Sequence, residues 1–235
     1  MSEEKTIYPI AVIGGGAAGV MALLRGVLNN QKVLFFPGNA KTKKKSRATW
    51  VTKVENMPGF FHYKKGIDNP NKETIEFIEQ SPFASNMTML SNCAVVSAKK
   101  REDALFELIG SNDETYLAKY VVLATGMMDV QPEIADSIQP ILPYANVQLV
   151  DYCLRCDGHH VFNKKTAVLG HGEGAAWVAI MLHERYNPPE MILLTHGKEL
   201  EASAEVQKIL ELYKIKVIKN KVHSVRGNAR ENLLT

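Results

Sequence analysis

The chain has 235 residues, 46% of them hydrophobic and 23% charged, with a formal net charge of +3. That is globular composition, enough for one large or two small domains, and so weak a net charge excludes a global field built for nucleic acid. No apolar run reaches the ~18 residues of a membrane-spanning helix, and "MSEEKTIYPIAVIGGG" lacks the basic start, apolar stretch and cleavage site of a secretory signal. A cytoplasmic protein with neither membrane nor nucleic acid as partner is therefore expected.

In chain order, "IYPIAVI" reads as a strand, "GGGAAG" as a tight turn, and Ala17 to Leu28 as a helix of small and apolar residues. "KVLFF" (32–36) is a second buried strand and closes a βαβ unit. The basic run "KTKKKSR" (41–47) is a solvated loop or a surface that draws an anionic cofactor or partner. "VENMPGF" (54–60) contains a Pro-Gly turn, and "NKETIEFIEQ" (71–80) predicts a short helix. From there "MTMLSNCAVVSAKK", "ALFELIG" and "ETYLAKYVVLATG" predict a run of antiparallel strands, with Cys93 a buried, inert thiol in one of them. The Pro-rich stretch around "VQPEIADSIQPILPY" is the natural crossing between two domains. The first pattern then recurs: "TAVLGHGEGAAWVAIMLHERY" is strand, glycine turn and helix, and "MILLT" (191–195) is a second strand. The expected class is α/β, with domains at 1–128 and 146–235 joined by a linker at 129–145.

Gly14, Gly16 and Gly19, with Ala17 and Ala18 between them, fit G-x-G-x-x-G after a strand and into a helix. The first glycine permits the turn, the second lets backbone approach a pyrophosphate, and the third lets helix and strand pack closely; the helix N-terminus holds the anion. Such units usually carry an acid at the end of the second strand for the ribose hydroxyls, and "FFPGNA" has none. Gly170, Gly172, Glu173, Gly174 and Ala175 form the second turn, with Ala175 in the third glycine's place. Two such units on one chain suggest two dinucleotides.

Cys153 and Cys156 stand at C-x-x-C spacing and Asp157 follows at once. The pair can close a small disulfide ring, its thiolate is stabilised if the first Cys starts a helix, and the carboxylate can shuttle protons. Zinc is the competing reading, with His159 or His160 as a third ligand, but a structural zinc site usually wants four ligands and there is no second C-x-x-C. An inert pair is the third, so the expected metal content is none.

The order "IGGGAAG", "VENMPGF", "VVLATG", "CLRCDG", "GHGEGAA" resembles the low-molecular-weight thioredoxin reductases and their flavin-dependent relatives, collinearly over nearly the whole chain. The resemblance implies two Rossmann-type nucleotide-binding domains, the first with a β-meander insertion. It implies FAD held by the first glycine turn, Glu55, Asn56, Thr125 and Gly126, and NADPH or NADH on the second turn. Cys153 would attack an external disulfide, carried by a thioredoxin-like protein or a small molecule, Cys156 would face the flavin, and Asp157 would be the acid/base. A homodimer is implied as well.

Two departures stand against the family pattern. NADPH-using members carry an arginine-rich element after the second strand of the second unit; here "THGKELEASAE" offers only His196 and Lys198 as cations for the 2′-phosphate. The family's return to the FAD domain would need about 80 further residues, so the sequence is expected to be a fragment of a longer protein or a shortened relative. The alternatives to a reductase are an oxygen-using flavin dithiol oxidase and a non-catalytic, FAD-deficient binding protein.

Overall fold

The computed structural model describes residues 6–43, 47–228 and 233–234. Lys44, Lys45 and Ser46 of the basic run lie outside the described residues, as do 1–5 and most of "NARENLLT". The chain divides into two compact units, Met1–Asp129 and Val130–Thr235.

The first unit runs β1 (Ile7–Ile13), α1 (Ala17–Leu28), β2 (Val33–Phe36), α2 (Ala40–Lys43), α3 (Asp68–Gln80), β3 (Met87–Met89), β4 (Val95–Lys100), β5 (Phe106–Gly110) and β6 (Thr115–Leu123). These strands form one sheet in the order β3-β2-β1-β6-β5-β4. Strands β3, β2, β1 and β6 run parallel, and β6, β5 and β4 form an antiparallel meander. The apolar run of β2 is continuous because every residue in it is buried, as expected of a parallel strand covered on both faces. On one face Val20, Leu23 and Val27 of α1 and Ile78 of α3 cover Val12, Val33 and Phe35. On the other, Ala11, Ile13, Leu34 and Phe36 pack with Leu108 and Ala118. The buried residues of α1 (Gly19, Val20, Leu23, Gly26, Val27) make one stripe at helical spacing.

Two expectations about the stretch 87–110 are corrected. Met87–Met89 is not part of an antiparallel run; it pairs parallel with β2, Val33 opposite Met87 and Phe35 opposite Met89. The chain reaches β3 from α3, and a helical crossover returns a strand in the same direction, whereas β4, β5 and β6 are joined by short turns that force antiparallel pairing. Cys93 is not in a strand. It sits in the turn before β4, 5% exposed, with its Sγ 3.4 Å from Asn112 Oδ1.

The second unit contains α4 (Leu142–Ala145), α5 (Leu154–Asp157), a 3-10 turn at Gly158–Val161, β7 (Thr166–Leu169), α6 (Glu173–Tyr186), β8 (Met191–Leu194), α7 (Ala204–Leu212), β9 (Lys216–Ile218), β10 (Gly227–Asn228) and β11 (Leu233–Leu234). β7, β8 and β9 form a parallel sheet, and β10 pairs antiparallel with β11. Ala176, Ala179 and Ile180 of α6 and Val206 and Leu210 of α7 close over Leu193. Helix α6 stops at Asn187, which is left-handed (φ 41°), and Pro188 and Pro189 prevent its continuation. Both units are thus built on a Rossmann-type βαβ core, the first with the meander added. Among the described residues no helix is long and apolar enough to cross a membrane.

Leu23 is fully buried between α1 and the sheet. Leu23→Ala is expected to cost the first unit about 2–5 kcal/mol, read as a lowered urea midpoint with an unchanged slope.

Candidate functional site

The first glycine turn is held by close backbone approach. Gly14 has φ 122° and donates its N–H to Phe36 O at 2.9 Å. A Cβ on Gly14 would lie 2.1 Å from Ala124 O, and one on Gly19 would lie 1.7 Å from Gly14 O. A Cβ on Gly16 would meet nothing within 4 Å, so the turn is open on that side. Helix α1 starts there with no side-chain cap and no acid in its first turn, where Ala17 and Ala18 stand. Its unsatisfied N–H groups and positive dipole end suit an anion such as a pyrophosphate.

Thr125 and Gly126 follow β6 beside this turn: Ala124 N–H donates to Ile13 O at 2.8 Å, and both residues are exposed. Glu55 and Asn56 lie on an exposed loop of the same unit, just after the buried Val54. At the end of β2, where a ribose-binding acid usually stands, the Asn39 side chain is used locally. Its Oδ1 accepts from Thr42 N at 2.9 Å while Thr42 Oγ1 accepts from Asn39 N at 2.9 Å, a reciprocal cap that starts α2.

The second turn has similar geometry and different electrostatics. A Cβ on Gly170 would lie 2.7 Å from the Ala175 Cβ, while Gly172 and Gly174 face open space. Glu173 is the first residue of α6, and its Oε2 accepts from Ser203 N at 2.7 Å. That backbone hydrogen bond holds the Glu173 carboxyl below the usual carboxylate range, against a smaller opposing effect of desolvation and with further help from the Ser203 and Trp177 side chains. Glu173 thus adds a carboxylate to the first turn of α6, a charge that α1 lacks and that would repel a phosphate at this helix start. His196 and Lys198 are both engaged: His196 Nδ1 accepts from Val222 N at 3.0 Å and its Nε2 meets Glu133 O at 3.1 Å, while Lys198 Nζ lies 2.9 Å from His171 Nε2.

In the stretch 151–160 Cys153 and Cys156 are joined by a disulfide. Cys153 is the N-cap of α5, and its Sγ accepts the Cys156 N–H at 3.1 Å. That hydrogen bond favours negative charge on Cys153 when the pair is open. An oxygen of the Asp157 carboxylate lies within 4.8 Å of both sulfurs. With the sulfurs bonded to each other, the zinc reading loses two of its donors. Asp151 escaped sequence reasoning, and His160 entered it only as a candidate zinc ligand. Asp151 Oδ2 and His160 Nδ1 form an ion pair at 2.9 Å, and both lie within 4.8 Å of the Asp157 carboxylate. Desolvation pushes the Asp151 carboxyl above its ordinary range, and the hydrogen bond and charge of His160 oppose this. Nothing in the spacing of Asp151 and His160 signals a pair, because the contact depends on the 3-10 turn at Gly158–Val161 folding back.

The family model for pyridine nucleotide-disulphide oxidoreductases matches residues 8–235. The chain belongs to that family. Similar proteins include a thioredoxin reductase of Borreliella burgdorferi, 26% identical over 219 residues (93% of this chain, 62% of that protein). A ferredoxin–NADP reductase 2 of Bacillus licheniformis is 25% identical over 185 residues (77% of this chain, 52% of that protein). The chain thus spans between half and two thirds of the length of these relatives. The crystal structure of a thioredoxin reductase from Streptococcus pyogenes matches with a TM-score of 0.74 at 23% identity, over 96% of this chain and 68% of that one. One from Giardia duodenalis matches with a TM-score of 0.71 at 23% identity, again over 96% of this chain and 68% of that one. At these identities the structures bear on the fold alone, and they agree with the Rossmann-type architecture of both units.

The charge at the start of α6 yields a direct test. Glu173→Gln is expected to tighten binding of NADPH or NADH by about threefold, the scale of one charge at an exposed helix terminus, in a nucleotide-fluorescence titration of the purified chain.

Proposed function

We propose that this chain carries the FAD turn, the nucleotide turn and the redox disulfide of a thioredoxin-reductase-type flavoprotein. Electrons would pass from NADPH or NADH, through FAD, to the Cys153–Cys156 disulfide and on to a disulfide of a thioredoxin-like protein or a small molecule. The observation that carries this reading is the disulfide itself, closed at the start of α5 with a carboxylate beside both sulfurs. It favours a disulfide substrate over the ferredoxin named for some relatives.

The backbone of the first turn suits FAD: the Gly16 side is open, the helix start is uncapped, and its first turn carries no acid to oppose an anion. Gly14, Gly16, Ala17, Ala18 and Gly19 would hold the pyrophosphate, with Glu55, Asn56, Thr125 and Gly126 taking the places the family resemblance implies. When bound, FAD accepts a hydride from the reduced nicotinamide and supplies two electrons to the disulfide. Cys153, its sulfur facing the Cys156 N–H, is suited to leave or attack as a thiolate. Asp157, with an oxygen within 4.8 Å of both sulfurs, would give a proton to the other sulfur as the bond opens and take it back as it closes. The homodimer and the cytoplasmic location rest on the family resemblance and belong to the same proposal.

A second reading is favoured by the second turn. The Glu173 carboxylate at the helix start would disfavour a pyrophosphate, and the engaged His196 and Lys198 would receive a 2′-phosphate poorly. An oxidase that takes electrons from a substrate dithiol and passes them to oxygen would need no such site.

The test is the visible spectrum of the purified protein with FAD supplied. A flavin band bleached by NADPH or NADH supports the reductase; one bleached only by dithiols supports the oxidase; no band overturns both. In the reductase, Cys156→Ser is expected to abolish disulfide turnover while flavin bleaching persists, and normal turnover in that variant would contradict the proposed role.

A further inference from the structure

Asp157 does not stand alone beside the cysteines. One of its carboxylate oxygens lies within 4.8 Å of both sulfurs, and it also lies within 4.8 Å of the Asp151 carboxylate and a His160 ring nitrogen. Asp151 and His160 are bonded to each other at 2.9 Å, and their side chains are only 24% and 19% exposed. Two carboxylates this close repel unless a cation or a shared proton lies between them, and the imidazole supplies one. Imidazole is also the side chain whose charge changes near neutral pH.

We propose that His160, held by Asp151, is a proton relay behind Asp157: it passes a proton to the Asp157 carboxyl as the cysteine pair opens and takes it back as the pair closes. The inference rests on the disulfide-exchange reading of Cys153 and Cys156 and goes beyond it by giving the acid/base carboxyl its proton source. His160 is a positioning residue that acts through Asp157.

The step balances with an external dithiol as reductant. A dithiol thiolate attacks one sulfur, the Cys153–Cys156 bond breaks, and its electron pair stays on Cys156, which takes a proton from Asp157. His160 then returns a proton to Asp157. The second thiol of the reagent gives its proton to water and, as a thiolate, closes a ring by displacing Cys153 as a thiolate, the form its hydrogen bond from Cys156 N favours. Two electrons move from the reagent to the pair, and the reagent leaves as a cyclic disulfide.

Within the second unit the titratable groups facing the relay are Asp151 and Asp157, which favour the imidazolium, and His159, whose ring lies 4.4 Å from that of His160 and opposes it when charged. Lys164 acts on Asp151 electrostatically from the loop that follows. The two carboxylates are opposite in sign to the imidazolium, and each has an oxygen within 4.8 Å of a ring nitrogen.

The experiment is the rate of disulfide reduction in the full chain by dithiothreitol across pH 5–9, corrected for the reagent's thiolate fraction. It requires no flavin and no nicotinamide nucleotide, so it stays readable if NADPH-driven turnover fails. The wild-type corrected rate is expected to fall through a neutral-range inflection as His160 loses its proton. His160→Asn keeps a donor toward Asp151 but cannot titrate; it is expected to lose the inflection and to be about tenfold slower at low pH, a fraction of the usual worth of general acid catalysis. Asp151→Asn removes one of the carboxylates that hold the imidazolium and is expected to shift the inflection to lower pH. In His160→Ala, added imidazole is expected to restore the rate in proportion to its protonated fraction. A wild-type inflection in His160→Asn, or a slower rate with the inflection intact, would make the pair a structural brace and overturn the relay. If His160→Asn fails to fold by circular dichroism, an unshifted inflection in Asp151→Asn overturns it instead.

Discussion

The contact between the first glycine turn and the end of β6 is the constraint on which the first unit depends. Gly14, Gly19 and Ala124 approach so closely that a Cβ at Gly14 or Gly19 would fall 2.1 or 1.7 Å from a carbonyl oxygen. No side chain fits in that space, so the backbone alone sets the distance between β1, α1 and β6. The same approach brings Thr125 and Gly126 beside the turn and leaves the Gly16 side open above an uncapped helix start. Packing and the open helix start are therefore one feature here: the glycines that let α1 bury Val20, Leu23 and Val27 against the sheet also leave its N-terminal end uncapped on the Gly16 side.

The second unit repeats that backbone and alters its charge. Gly170 and Ala175 make the close contact, and Gly172 and Gly174 keep the approach open. Glu173, however, brings a carboxylate to the start of α6 and is fixed there by Ser203 N. Helix dipoles stabilise an anion whatever its source, so an internal carboxylate competes with a ligand's phosphate. The backbone geometry of the two turns is thus alike while the charge at their helix starts differs.

The disulfide segment is a different kind of site. It is held by short-range hydrogen bonds within ten residues: Cys156 N to Cys153 Sγ, Asp157 N to Cys153 O, and Asp151 to His160. The fold has only to shield it, which Leu154 and Val161 do by packing on the core of α6 and β8. The pair is part of the segment's own hydrogen-bond network, so the disulfide and the ionisable side chains beside it share the same ten residues.

Much of this was legible in one dimension. The two strand–turn–helix units appear in the structure with bounds within a few residues of expectation, β1 and α1 at Ile7–Ile13 and Ala17–Leu28, because runs of buried apolar residues and glycine turns are local signals. The C-x-x-C spacing likewise announced a ring that needs only a short helix to close. The strand Met87–Met89 was misjudged because direction of pairing is set by what connects two strands, and three residues carry no mark of their partner. Cys93 was placed in a strand because apolar alternation continues through a turn. The sequence by itself determined the motifs, their order and their chemistry class, all carried by neighbours along the chain. Only the tertiary structure decided which charges meet: Glu173 with Ser203, Lys198 with His171, His196 with Glu133 and Val222, and Asp151 with His160 beside Asp157. Electrostatic interaction depends on distance in space, and loops bring together groups whose separation along the chain has no period to reveal it.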